Sequence, residues 1–404
     1  MDDLMTNIEH YHVSLTTGFL PPSAPLTHLP QKYYEPWETL ASSLPTRIRD
    51  GSLRHQASLI PLLETDFLVT DAEWQRAYVV LGFLSNAFIF CQYPPSERLP
   101  LSLAEPMMNV SCYLGLPCVP TYSGQTLWNH CYISEIQLPV LEQVNTLVSF
   151  TGSREESAFF GISVAIEKCG SPLIRTLLHA MAAAEAGNEK ELTACLSKAM
   201  ITIDSITSIL PQLYGRCSPS FFYNTLRPFL EGTQDLKSAG LPNGVFFETK
   251  NGGSYQKFRG PSNAQSSLFC FIDIALGIEH NDNSFLTEMR QYMPGPHRDF
   301  LARVEAIDSV RHFISANPDA SQLQEAYEGC VLALARFRQI HIRLVARYIV
   351  IPSNGTKTAD QSSMGNGLSS EPVSIAGAQG TGGTKPVEFL KVIRNDVLES
   401  LQAS

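Results

Sequence analysis

A single histidine on an apolar stretch late in the chain is the residue whose chemistry is easiest to interpret. Residues 332–345 have helical spacing, which places His341 on one face with Leu334 and Leu344 and puts Arg338 one turn before it. A neutral imidazole in a dry pocket is a normal axial ligand of haem iron, and a neighbouring guanidinium can pair with a haem propionate. The alternative is a core histidine that bonds to a backbone carbonyl, and periodicity alone does not separate the two.

A loop of small polar residues leads into an apolar helix upstream of that histidine. Residues 258–269 read FRGPSNAQSSLF, a sequence in which a small, polar backbone segment precedes a hydrophobic helix. A backbone loop of this kind can approach a buried planar cofactor with acidic edges, and a lone imidazole on a second apolar helix can bind its metal. We therefore predict a haem site between residues 258–269 and His341.

Two further pairs of residues have a spacing that suits a ligand pocket. Phe222 and Arg227 lie about 140° apart around a helix, so both can border one cavity, the ring facing an aromatic group and the guanidinium a carboxylate. Phe159 and Ser163 share a helix face and give an aromatic wall with one small hydroxyl. The alternatives are a surface arginine beside a core phenylalanine and a serine that bonds back to the preceding turn.

Several classes of function are disfavoured by composition and by motif. A formal net charge of -10 argues against a nucleic-acid or anionic-membrane binder, since phosphate groups are bound by surplus Lys and Arg. The nine cysteines are scattered without a C-x2-C pair, which favours reduced core residues, and no H-E-x-x-H or G-x-S-x-G motif occurs. The acidic N-terminus lacks signal-peptide character, so we expect a cytoplasmic protein without stable membrane association.

The first part of the chain is predicted to form a smaller and more irregular domain over residues 1–148. A proline-rich arm precedes short helices at 34–44 and 53–63, and a further helix starts at the capping box of Thr70 and Glu73. Prolines between Pro94 and Pro120 break the apolar pattern into short pieces. We expect this domain to combine helices and short strands and to cap the pocket.

Residues 149–404 are predicted to form a large all-helical domain, so the fold class is mainly α. Helical spacing covers 156–168, 173–186, 189–210, 219–230, 264–277 and 322–350, with a hairpin signal at 240–254. A Gly- and Ser-rich stretch at about 353–386 is predicted to be a flexible loop, and an amphipathic helix follows at 387–401.

Taken together, these segments resemble the indoleamine 2,3-dioxygenase family, the haem enzymes that open the indole ring of tryptophan, and a fungal-type member in particular. The resemblance covers 159–167, 220–227, 260–277, 292–298, 327–352 and the Gly-Thr run at 380–384, in the family's order and approximate spacing. Most of the chain after residue 150 is included. The first 150 residues match more weakly, chiefly around Leu116-Pro117 and Tyr122.

The resemblance implies roles for individual positions of this chain. His341 falls on the proximal ligand of the haem iron, and Arg338 falls on the arginine associated with a propionate. The residues that the resemblance assigns to the substrate are Tyr122, Phe159 and Ser163 around the indole, Phe222 packed against it, Arg227 on its carboxylate, and Thr381 on a closing loop. Ser262 and Asn263 fall on the loop that crosses the haem edge, where both substrate and cofactor are within reach.

The resemblance also implies the activity and the ligands. One haem b per chain, ferrous in the active form, would use O2 to convert L-tryptophan to N-formyl-L-kynurenine, the first step of the kynurenine route towards NAD. Ser163 would assist by hydrogen bonding only, and a monomer is expected. Pro261 and Asn263 depart from a loop that is usually richer in Gly and Ala. The alternatives are a haem-binding sensor or signalling paralogue with little turnover and a helical scaffold without a cofactor.

Overall fold

The computed structural model of the protein describes residues 2–132, 144–234, 236–281, 284–354 and 385–401. These ranges are mostly helical. The helices before residue 148 are α1 (Asp2–Thr6), α2 (Glu35–Ser42), α3 (Leu44–Arg49), α4 (Leu53–Ser58), α5 (Asp71–Phe90) and α6 (Leu101–Leu114). Those after it are α7 (Arg154–Gly170), α8 (Pro172–Glu185), α9 (Glu189–Ile209), α10 (Pro219–Phe221), α11 (Ser267–Leu276), α12 (Ser284–Arg290), α13 (Gly295–Glu305), α14 (Val310–Ser315), α15 (Ser321–Val345) and α16 (Pro386–Glu399).

The long helices begin where the sequence supplies a cap. Thr70 accepts a hydrogen bond from the backbone N–H of Glu73 while the Glu73 side chain returns to the backbone of Thr70, which confirms the capping box of α5. Ser153 caps α7 in the same way by accepting from the N–H of Glu156 at 3.1 Å. Both helices therefore start at fixed residues, and their buried faces have a defined register.

One buried apolar cluster extends from Leu4 to Val397, so residues on both sides of position 148 contribute to the same core. Helix α9 packs against α8 and α15, and α15 packs against α16. The stretch Glu189–Leu213 is long and apolar enough to cross a membrane by length and composition. Its inner face, with Leu192 and Leu196, is buried against neighbouring helices, as in the core helix of a globular protein. The domain boundary at 148/149 stays a prediction.

Short strands join distant parts of the chain in the described ranges. Strands β4 (Val245–Phe247) and β5 (Ser254–Gln256) pair antiparallel, which confirms the hairpin signal at 240–254. Strand β1 (Arg98–Leu99) adds to β4 in parallel and links the first part of the chain to the second. Strands β2 (Cys131–Tyr132) and β3 (Val144–Asn145) form a separate antiparallel pair.

Helix α6 corrects the expectation of short broken pieces between Pro94 and Pro120. It runs for 14 residues with Pro106 inside it. A proline in a helix removes one backbone hydrogen bond, but Leu103, Met107 and Val110 of α6 are fully buried, and α6 packs against α5. Tertiary burial therefore offsets the local cost of the proline.

Two predicted helices end differently from their periodic pattern. Residues 219–230 form α10, then a π-helical turn at Phe222–Leu226, then a 3-10 turn at Arg227–Leu230 that contains Pro228. Helix α15 ends at Val345 and continues as a π-helical turn over Ala346–Val350. Such turns change the direction of side chains by a fraction of a turn, and they are frequent at functional sites. Most of the Gly- and Ser-rich stretch at 353–386 lies outside the described residues.

Candidate functional site

A cavity of about 880 Å³ lies between α7, α11, α15 and α16, with the loop before α11 along one edge. Most of the residues that the sequence analysis selected are on its wall, namely Tyr122, Phe159, Ser163, Phe222, Ser262, Asn263, Arg338 and His341. Its volume is in the range of pockets that enclose a drug-sized ligand or a cofactor. Segments far apart in sequence thus meet around one enclosed space.

His341 presents its imidazole to this cavity from the last turns of α15. Burial, with the nearby charge of Arg338, lowers the pKa of His341 to about 4. The ring is therefore neutral at physiological pH, which is the form that binds a metal. One turn earlier, Phe337 stacks on Phe269 of α11 with ring centroids 4.4 Å apart and fixes this part of α15 against the cavity wall.

Arg338 is held by an ion pair that the sequence did not reveal. Its Nη2 donates to both carboxylate oxygens of Asp273 on α11 at 2.5 and 2.6 Å, and its Nη1 donates to the carbonyl of Ile393 on α16 at 2.8 Å. Burial alone would raise the pKa of Asp273, but Arg338 and His280 lower it below its ordinary value. The arginine beside His341 is thus already charge-compensated by the protein.

His280 extends this network to the C-terminal helix. Its Nε2 lies 3.1 Å from Oδ2 of Asp273, and its Nδ1 lies 3.1 Å from Oδ2 of Asp396 on α16. Both carboxylates are largely buried, and Asp273, His280 and Arg338 line the cavity, so the network ties α11, α15 and α16 together at the cavity wall. We refer to Asp273, His280, Arg338 and Asp396 as the four-residue ion network.

Aromatic side chains form another part of the cavity wall. Phe159 on α7 lies against Phe222 with ring centroids 4.7 Å apart, and Phe222 meets Tyr348 edge-on at 5.9 Å. Ser163 follows Phe159 by one turn on the same cavity-facing side. Phe159, Ser163 and Phe222 therefore line one cavity in the structure.

The loop before α11 closes the cavity near His341. The backbone at Gly232 packs closely against this loop, and only glycine fits there, since a Cβ atom would lie 2.3 Å from the carbonyl oxygen of Phe258. Ser262 caps the turn that follows by accepting from the N–H of Ala264 at 3.3 Å. The Asn263 amide nitrogen lies 3.5 Å from Nε2 of His341, so a group bound at Nε2 would displace this side chain.

Arg227 is placed differently from the other selected residues. It is fully buried and is not among the residues that line the cavity. Its Nη2 lies 3.7 Å from Oε1 of Glu231, and its Cζ lies 5.1 Å from the ring centroid of Tyr223. Its proposed contact with a ligand carboxylate stays a prediction, as does the role of Thr381, which lies outside the described residues.

Four buried polar residues around the cavity were missed by sequence reasoning, namely Glu167, Gln265, Asp273 and His280. Glu167 had a detectable signal, because it follows Phe159 and Ser163 at four-residue spacing on α7. Asp273 is the one charged residue of the apolar helix Ser267–Leu276, a position where a carboxylate requires a partner. Gln265 and His280 lie in turns, where no periodicity exists to interpret.

The residues on the wall fit a haem group. A neutral imidazole opens into a largely apolar cavity, and a guanidinium lies one turn away from it. A single neutral histidine is a common axial ligand of haem iron.

Comparisons with known proteins identify the family of the chain. The family model described as indoleamine 2,3-dioxygenase matches residues 7–400. Indoleamine 2,3-dioxygenase qulI of Penicillium citrinum is 35% identical over 98% of this chain and 88% of its own length. The indoleamine 2,3-dioxygenase of Saccharomyces cerevisiae is 33% identical over 97% of this chain and 93% of its own length. Human indoleamine 2,3-dioxygenase 2 is 33% identical over 98% of this chain and 95% of its own length. The chain therefore belongs to the indoleamine 2,3-dioxygenase family of oxidoreductases.

Proposed function

We propose that this protein is a haem-dependent dioxygenase that inserts both atoms of O2 across the indole C2–C3 bond of L-tryptophan and forms N-formyl-L-kynurenine. The observation that carries the proposal is the neutral imidazole of His341 opening into a cavity that is also lined by Phe159, Phe222 and Ser163. This arrangement has a place for an iron ligand and a separate place for an aromatic ring. In metabolism, the reaction would start tryptophan breakdown towards kynurenine and NAD.

His341 would hold the iron of one haem b per chain. Ferrous haem, when bound, supplies the activation of O2. The reaction leaves both oxygen atoms in the product and consumes no external reductant in each turnover, so the protein needs to orient the substrate and exclude water. A propionate contact of Arg338 requires that its guanidinium be shared with Asp273.

The substrate would lie with its indole between Phe159, Phe222 and Tyr122. Ser163 lines the same cavity and would act by hydrogen bonding. Among the described residues, Tyr122, Phe159, Ser163 and Phe222 offer no strong base on this part of the wall. Ser262 and Asn263 would border both ligands at the cavity edge. Arg227 would pair with the substrate carboxylate after a change of its present contacts, and Thr381 would belong to the closing loop.

The test is turnover by haem-loaded full-length protein. After anaerobic reduction, addition of O2 and L-tryptophan should produce the absorbance of N-formylkynurenine. Full haem loading without product at millimolar tryptophan would remove the proposal. In that case a saturable tryptophan-induced change in the haem spectrum would instead favour a sensor or signalling role, and failure to bind added haem would favour a scaffold.

The proposal includes a cytoplasmic monomer without stable membrane association. It is supported by the net charge of -10 and by the burial of the apolar face of α9 within the core. Light scattering of the purified protein and fractionation of cells that express it test the two parts separately. A stable dimer or a membrane-bound fraction would contradict them.

A further inference from the structure

Tyr122 enters the cavity wall from the turn that follows α6, and its ring is 5% exposed. The phenol O–H donates to Oε1 of Glu167 on α7 at 2.9 Å. Burial and the neighbouring carboxyl of Glu167 hold the pKa of Tyr122 well above its ordinary value, so the phenol keeps its proton and remains a donor. The orientation of this ring is thus tied to one buried carboxyl group.

Two consecutive residues of the loop before α11 complete the attachment. Ser266 donates its O–H to the same Oε1 of Glu167 at 2.7 Å. The side-chain oxygen of Gln265 accepts from the backbone N–H of Tyr122 at 3.0 Å, and its Nε2 donates to the carbonyl of Gly260 at 3.0 Å. Tyr122 is therefore held at its backbone by Gln265 and at its hydroxyl by Glu167, and Ser266 bonds to the same oxygen of Glu167.

We propose that Glu167 is a positioning residue for the substrate, and that with Gln265 and Ser266 it forms a clamp that fixes the ring of Tyr122 against the indole. This inference rests on the proposed function, because it assigns Tyr122 to the tryptophan pocket. Glu167 itself is 2% exposed and is not on the cavity wall, so it acts through Tyr122. We call Glu167, Gln265 and Ser266 the tyrosine clamp.

The carboxyl group of Glu167 in the tyrosine clamp loses its proton near neutral pH. Burial raises the pKa of Glu167 to about 7, against the opposing effect of its bonds from Ser266 and Tyr122. Its Oε2 has no hydrogen-bond partner among the described residues, which leaves this oxygen as the site of the proton in the neutral form.

The titratable side chain shown to contact Glu167 is Tyr122. Lys168, the next residue of α7, points away, with its Nζ 4.0 Å from the ring centroid of Tyr132. Ionisation would strengthen the bond from Tyr122, because a charged acceptor forms a shorter and stronger bond than a neutral one. The contribution of this bond to tryptophan affinity is therefore expected to rise as the pH passes through about 7.

A double-mutant cycle on haem-loaded full-length protein tests the clamp. We expect Glu167→Leu and Tyr122→Phe each to raise the KM for tryptophan about tenfold while kcat changes less than about twofold, since each breaks the buried bond between Tyr122 and Glu167. Glu167→Leu also removes the bond from Ser266. The double variant should be no worse than Glu167→Leu alone, because both changes break the same bond to Tyr122. Glu328→Leu, a matched change at an exposed position of α15, should leave KM unaltered.

Additive effects, with a KM raised about a hundredfold in the double variant, would overturn the proposal. An unchanged KM in Glu167→Leu would do so as well. If Glu167→Leu fails to fold, Glu167→Gln supplies the test. It keeps an acceptor but cannot ionise. The comparison is made in the Glu231→Gln background, because the pKa of Glu231 beside Arg227 is also raised to about 7. There Glu167→Gln should abolish the change of KM near pH 7, whereas a retained change would contradict the role of Glu167.

The thermal midpoints of the same proteins separate this inference from the proposed function. If the double variant lowers the thermal midpoint by less than the sum of the changes in Glu167→Leu and Tyr122→Phe, the two residues are coupled and the clamp exists. If the change equals that sum, the clamp is disproved. If haem-loaded wild-type protein neither bound nor converted tryptophan, the proposed function would fail. The substrate role of Glu167 would fail with it, whatever the midpoints showed.

Discussion

The guanidinium of Arg227 lies 3.7 Å from the carboxyl group of Glu231, one helical turn later, and both side chains are buried. Asn86 of α5 donates to the main-chain carbonyls of Phe229 and Glu231 at 2.9 and 3.2 Å, which fixes the turn that carries the pair. Burial raises the pKa of Glu231 to about 7, although Arg227 lowers it. An internal carboxyl group thus lies beside the arginine proposed to bind a substrate carboxylate.

Glu231→Gln should increase tryptophan affinity. The substitution removes a charge that competes for Arg227, and loss of about 1 kcal/mol of competing attraction corresponds to a KM about fivefold lower. Steady-state kinetics at pH 8 measure this KM, with Glu328→Gln on the exposed face of α15 as the matched control. A KM equal to or above that of the wild type would show that Glu231 does not compete.

Arg227→Ala should keep haem and weaken tryptophan binding. A charged hydrogen bond commonly contributes about 1.5 to 3 kcal/mol, so KM is expected to rise about ten- to hundredfold. Arg336→Ala is the matched control, because Arg336 is an exposed arginine of α15 paired with Asp204. Steady-state kinetics at full haem loading would decide, and a silent Arg227→Ala would require another residue for the substrate carboxylate.

His341→Ala should lose haem, and the wild type should keep it in moderately acidic solution. Because burial lowers the pKa of His341 to about 4, the imidazole stays neutral between pH 7 and 5, where an exposed histidine would gain its proton. Haem occupancy, followed by the Soret band, should therefore change little over that interval. His179→Ala, an exposed position on α8, is the control. Loss of occupancy with a midpoint near pH 6.5 would contradict this account.

Helical periodicity predicted which residues of α7 and α15 share a face, but not that these faces line a cavity. Phe159 and Ser163, and His341 with Arg338, lie in regular helices, and a regular helix converts sequence spacing into direction. Phe222 lies on the cavity wall at the start of a π-helical turn, and its sequence does not predict such a turn. Arg227 follows that turn, and its side chain lies off the cavity wall. The predicted geometry for this pair assumed a regular helix, which Pro228 interrupts.

Tertiary pairings between distant segments could not be predicted from spacing. The partner of Arg338 is Asp273, on another helix, and the acceptor for Tyr122 is Glu167. Each pair forms because two segments pack together, and the spacing of residues along the sequence does not show which segments pack. A buried carboxyl group on an apolar helix signals that a partner exists, but the sequence does not say which one.

His280→Ala should loosen α16 from the rest of the protein. The Nε2 of His280 lies 3.1 Å from Oδ2 of Asp273, and its Nδ1 lies 3.1 Å from Oδ2 of Asp396. Removing the ring takes a hydrogen-bond partner from each of two largely buried carboxyl groups, which costs about 1 to 3 kcal/mol of unfolding free energy for each group. Hydrogen exchange of Pro386–Glu399 should accelerate more than exchange in α9. Uniform acceleration, or none, would contradict a local role, and His55→Ala at an exposed site of α4 is the control.

The stability of the protein should fall as the pH rises from about 4.5 to above 7. Burial raises the pKa of both Glu167 and Glu231 from 4.5 to about 7, so the folded state retains protons that the unfolded state releases. Their contribution is complete below pH 4.5 and is lost as the pH passes through about 7, with an upper limit of about 3 kcal/mol for each group. Urea unfolding of apoprotein at pH 5, 6, 7 and 8 measures this slope. Glu167→Gln and Glu231→Gln should each flatten part of it, since a glutamine does not titrate. If the double variant kept the full slope of the wild type, other groups would have to bind those protons.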